Sequence, residues 1–115
     1  MDEAALSDLF AGLGPLRFRR MFGGLGVYRG EAMFALVAFD AVWMKTDARL
    51  AESYRAAGSE PFIYAGKSRP VAMSFWRLPD DALDDPEAAL DWARLSLGPA
   101  EAAAEARQPG RSRRR

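Results

Sequence analysis

The residues best equipped for chemistry stand together near the start of the chain. In RFRRMFGGLGVYRG, residues 17–30, the cations Arg17, Arg19 and Arg20 precede Gly23, Gly24, Gly26 and Gly30. Arginines beside a glycine loop are the ingredients of a phosphate site, where backbone N–H groups and guanidinium forks share one anion. The spacing does not deliver it. A dinucleotide fingerprint needs G-x-G-x-x-G between a strand and a helix. Here Gly24, Gly26 and Gly30 are one residue too far apart, and a strand pattern follows. No Gly-Lys-Ser/Thr closes this glycine run, so a Walker-type loop fails as well. What remains is a bend at Gly23–Gly24, where positive φ or close backbone approach excludes a side chain.

Other chemistry is limited by what the chain lacks. It has no histidine and no cysteine, which removes the usual base near neutral pH, the Ser-His-Asp and Cys-His arrangements, disulfides and thiolate zinc sites. Asp80, Asp81, Asp84 and Asp85 do not alternate as a calcium loop requires. No catalytic residue, metal ligand set or cofactor site is assigned, and the chain reads as a non-enzyme. A small-molecule enzyme or sensor would instead need an enclosed pocket holding a carboxylate or Lys45 with a perturbed pKa.

The elements that place these residues follow from periodicity. With 115 residues, half of them hydrophobic, the chain can bury roughly two-thirds of its unfolded surface in one core. Leu6, Leu9, Phe10 and Leu13 recur at helical spacing before Gly14–Pro15. From Arg17 the period is two: Phe18, Arg20 and Phe22 share one face, and Arg17, Arg19 and Met21 the other. LGVY and AMFALVAF flank a hairpin turn at Gly30–Glu31, and a second turn near Phe39–Asp40 leads into VWMKT. Asp47 caps a helix with Leu50, Tyr54 and Ala57 on one side and Gly58 at its end. PFIYAGKSRPVAMSFWRLP reads as two strands around AGKSR. Asp85, Pro86 and Glu87 start a last helix with Ala89, Leu90, Ala93 and Leu97 buried, closed by Gly98–Pro99. The order is helix, three or four strands, helix, two strands, helix. Short hairpins make the strands antiparallel, so the fold class is α+β, with helices covering an antiparallel sheet.

Charge is balanced overall but segregated. Asp80 to Asp91 holds six acids and no base, while the last nine residues carry five arginines, Arg107, Arg111, Arg113, Arg114 and Arg115, and no acid. Residues 1–98 are expected to form the domain and 99–115 a basic, disordered tail. Without residues 99–115, which hold five arginines and two glutamates, the net charge is −3. That disfavours long-range attraction of DNA by the domain itself and leaves nucleic-acid contact to the tail. An acidic start and no long apolar run point to the cytoplasm and away from the membrane.

Several of these stretches, in this order, resemble the N-terminal domain of the TfoX/Sxy family of bacterial competence regulators. The stretches are RRMFGGLGVYRGEAMFALV, VWMKTD, AAGSEPFIY, VAMSFWRLP and ALDDPEAALDWARLSL. The resemblance runs from about Arg17 to Leu97 and includes Met21, Phe22, Gly23, Gly24, Lys45 and Asp47. It implies a two-layer α/β sandwich similar to secretion-chaperone-like folds, no catalytic residues, and a link to transcription through a protein partner. Full-length members cooperate with the cyclic-AMP receptor protein and carry a second, helical domain; this chain resembles a stand-alone form. The candidate contact surface is Arg17, Arg19, Arg20, Met21, Phe22, Gly23 and Gly24, with the acidic start of the last helix. Direct nucleic-acid binding by the tail and a small-molecule sensor stay open as alternatives, as does a homodimer.

Overall fold

Three aspartates start the three helices of this chain. In the computed structural model, which describes residues 1–21, 23–65 and 70–107, the Asp2 carboxylate accepts from the Ala5 N–H at the head of α1, Glu3–Leu9. Asp47 does the same for Leu50 at α2, Ala48–Ala56, and Asp85 for Glu87 and Ala88 at α3, Pro86–Ala106. Each cap satisfies an orphan donor and contributes about 1 kcal/mol. A 3₁₀ turn over Ala11–Leu13 extends α1, and Leu6, Leu9, Phe10 and Leu13 are all buried. The expected helix stripe is therefore present. Ala57, expected on the buried side of α2, is instead its exposed C-cap, because Gly58 turns the chain away at φ 83°.

The strands are β1 Arg17–Met21, β2 Gly24–Arg29, β3 Ala32–Ala38, β4 Ala41–Lys45, β5 Pro61–Ala65 and β6 Pro70–Arg77. They form one antiparallel sheet in the order β1-β2-β3-β4-β6-β5. The turn between β2 and β3 has Gly30 at φ 61°. Between β3 and β4, Phe39 and Asp40 have φ of 51° and 60°, the pair of left-handed residues that two-residue hairpins of this twist require and that Asn-Gly usually supplies. Placing Phe39 there costs about 1 kcal/mol.

Both faces of the sheet carry an apolar cluster, and helix residues join only one of them. On one face Val27, Ala35, Val42, Met44 and Trp76 join helix residues in the larger cluster. Between Val27↔Ala35 and Tyr28↔Met33 the register shifts, leaving Phe34 as an extra residue on β3. That bulge lets Phe34 and Ala35, neighbours in sequence, serve the same cluster, and Phe34 meets Phe10 edge-on at 5.2 Å. On the other face Leu36, Ala38, Trp43, Phe62 and Phe75 form a second cluster. Tyr54 of α2 is fully buried, lies 4.3 Å from Trp92 of α3 by ring centroids, and shares a 3.2 Å hydrogen bond with buried Ser96.

Gly98–Pro99 does not close the last helix. α3 continues to Ala106, and Ala100 and Ala104 are buried. Small side chains make the docking stripe that a search for large apolar residues passes over. Pro99 has no N–H, so the Leu95 carbonyl loses its helical donor. Leu95 is 53% exposed, where water can serve that carbonyl. Residues 99–107 thus belong with the folded unit, beyond the expected limit at residue 98. The missing rung should leave Glu101–Arg107 less protected: amide exchange there is expected to be about fivefold or more faster than over Ala89–Leu97. Equal protection by mass spectrometry would show that Pro99 interrupts nothing.

Candidate functional site

The three arginines of β1 have three different situations. Arg17 Nε and Nη2 donate to the Gly30 carbonyl at 3.2 and 2.9 Å, and the guanidinium lies 5.3 Å from the Tyr28 ring centroid. It fastens the β2–β3 turn. Arg20 is exposed and lines a cleft of about 400 Å³ with Asp2, Glu3, Gly24, Phe39 and Asp40. Arg19 is exposed and forms no ion pair with another described residue. Phe18 packs toward the helix-side cluster and Met21 toward the other, so the alternation expected of this strand is present. Phe22 lies outside the described residues.

Register fixes which face the cations occupy. Arg19 pairs with Gly26, Gly26 with Leu36, and Leu36 with Trp43. Directly paired residues share a face, so Arg17, Arg19 and Met21 stand on the same side as Leu36, Trp43 and Lys45. In β1 to β4 no strand position on this side is acidic. The sequence foresees cations on one face of β1, but not that Lys45 extends the set three strands away.

The glycines before β2 have distinct jobs. Gly23 has φ 70° with open space around it, whereas a Cβ on Gly24 would meet the Val37 carbonyl oxygen, part of the β3 backbone. This is a hairpin connection followed by a close strand approach; the α1 N-terminus that borders the same cleft is already capped by Asp2 and carries Glu3, and these acids disfavour a phosphate there.

Two features of the site escape sequence reasoning. Phe39 is 74% exposed and stacks on Phe62 at 5.9 Å, with Ile63 exposed nearby in the chain. An aromatic residue in a hairpin turn that normally takes Asn-Gly is the signal that could have marked it. Asp2 and Glu3, read only as helix-start residues, also border Arg20.

The acidic start of α3 does not join this surface. Asp80 and Asp81 border a separate cleft of about 390 Å³ with Glu60 and Arg77, and Arg77 sits 3.5 Å from both Glu60 and Asp80. Of the five terminal arginines, Arg107 is the C-cap of α3 and not part of a free tail. Arg111, Arg113, Arg114 and Arg115 lie outside the described residues. Among the described residues, no group of three or more Asp or Glu side chains is gathered to hold a metal, and no helix is long and apolar enough to cross a membrane.

Six antiparallel strands with three helices define an α+β domain. The chain belongs to the TfoX N-terminal domain family, whose model matches residues 8–100. No curated protein matches it.

Proposed function

We propose that this domain is non-catalytic and works by holding another protein, in the control of transcription as its family membership suggests. The observation that carries the reading is Arg19, an exposed arginine without an ion-pair partner among the described residues, on a sheet face that lacks acids from β1 to β4. Exposed Phe39 offers an aromatic anchor in the turn beyond Ala38 of the same face. Arginine and aromatic side chains are the residue types that most often dominate contact energies. An acidic, partly apolar surface is the complement.

Binding of purified RNA polymerase and of a cyclic-AMP-receptor-type regulator tests this. Arg19→Glu is expected to weaken the contact about tenfold or more, by placing like charges opposite each other. Since Arg19 is exposed, the fold should be unaffected. Undiminished binding by the variant would remove the face from the reading.

A further inference from the structure

A cavity of about 280 Å³ lies between the cationic sheet face and the last two turns of α3. Met21, Met33, Leu36 and Phe75 supply its apolar wall, and Ala100 and Ala103 keep the helix side shallow. The space equals that of about nine waters in the liquid. Lys45 and Arg107 are the two charged residues on its lining.

Lys45 is held in place. Its Nζ donates to Ser74 Oγ at 2.6 Å and lies 5.2 Å from the Phe75 ring centroid. No described carboxylate pairs with it or with Arg107. Burial, and then the like charge of Arg107, push the lysine below its ordinary pKa. An unfolded lysine keeps its proton up to about 10.5, so stability rises with pH from the lowered folded value toward that point, and below it the charge is a cost to the fold.

We propose that this cavity is a binding site for a small organic acid. Its carboxylate lies between Lys45 Nζ and the Arg107 guanidinium, and its apolar body lies against Met21, Met33 and Phe75. Charge-assisted hydrogen bonds would engage both cations, and methionines adapt to bodies of different outline. An inorganic anion would leave the apolar wall unfilled. A metal ion would meet two cations and no carboxylate. Testing this site needs no protein partner, and the site gives the chain a means of sensing a metabolite.

The probe is sodium octanoate, titrated into the full chain while the methionine methyl signals are followed by NMR, with octan-1-ol and octylamine as neutral and cationic counterparts. Octanoate is expected to shift the Met21 and Met33 methyls saturably, with a dissociation constant of about 1 mM or tighter. The Met44 methyl, on the opposite face, should stay in place. Octanol should bind about tenfold more weakly and octylamine more weakly still. Lys45→Met should lose about tenfold for octanoate while leaving octanol unchanged. Because it removes a partly desolvated charge, it should melt no lower than the wild type, so lost binding cannot be assigned to lost folding. Arg107→Gln should weaken octanoate similarly. Octanoate affinity should fall as pH rises toward the ordinary lysine value; of the groups facing Lys45, Arg107 keeps its charge there and Ser74 has none to lose. Equal binding of octanoate and octanol, an unaffected Lys45→Met variant, or shifts spread over Met1 and Met44 would overturn the proposal.

Discussion

Gly24→Ala is expected to lower the thermal midpoint by about 10 °C or more, from a cost of roughly 3 kcal/mol at 4–5 °C per kcal/mol for a domain of this size. The added Cβ would overlap the Val37 carbonyl oxygen and lie 3.0 Å from the Val37 carbonyl carbon. Both are backbone atoms, so no side-chain rotation relieves the clash and β2 and β3 must part. Dihedral strain is not the cause, since Gly24 is absent from the positive-φ glycines. Gly23→Ala is the informative control. Its site has φ 70° but nothing within 4 Å, so it should cost only about 1 kcal/mol. Thermal melts in which the two variants behave alike would show that the close approach at Gly24 is not what requires a glycine.

Tyr54→Ala should have a still larger effect. Removing a fully buried aromatic costs about 3–5 kcal/mol, and Ser96, itself fully buried, would lose its 3.2 Å partner for roughly another 1–3 kcal/mol. The sum is comparable to the whole stability of a typical domain, about 5–15 kcal/mol. The variant is expected to be largely unfolded by circular dichroism at 25 °C. Tyr54→Phe keeps the ring against Trp92 and should lose only about 1–2 kcal/mol. Its pH response separates the roles. Burial pushes the Tyr54 hydroxyl well above the usual phenol range, against a smaller opposing effect of the Ser96 bond. The unfolded phenol ionises first, so stability present below about pH 10 is lost as pH rises toward the folded value. Tyr54→Phe removes that loss. Denaturant midpoints of the wild type that fail to fall more steeply than the variant's above pH 10 would contradict the burial of this hydroxyl.

What the sequence discloses and what it withholds divide along range. Asp47 and Asp85 are legible as caps, and Gly30–Glu31 as a turn, because each signal is complete within four residues. The two aromatics Phe75 and Trp76 are legible as adjacent residues facing opposite ways, since strand alternation needs no partner. The fate of α3 is not: its continuation past Pro99 depends on what Ala100 and Ala104 pack against. The insertion of β6 between β4 and β5 is equally hidden, because it is decided by pairing across tens of residues. The cavity is the extreme case. From the sequence Lys45 is a pocket cation only on the small-molecule alternative, while Met21, Met33 and Arg107 come together through register and helix length that no local pattern encodes.

The place of β6 in the sheet also sets a schedule for synthesis. β1 to β4 are consecutive neighbours and can pair as they emerge, but the second edge of β4 waits for β6, through Trp43↔Arg77, Met44↔Trp76 and Lys45↔Phe75. At elongation rates of about 5–20 residues per second, the 32 residues from Lys45 to Arg77 take roughly 2–6 s. Any sheet that β1 to β4 form before then has an open edge at β4, and Val42 and Met44 lack the helix that will cover them. An open apolar edge is a template for other chains. The single charge on β4, Lys45, stands at the end of that edge, and its repulsion is the nascent sheet's own protection until the second hairpin arrives.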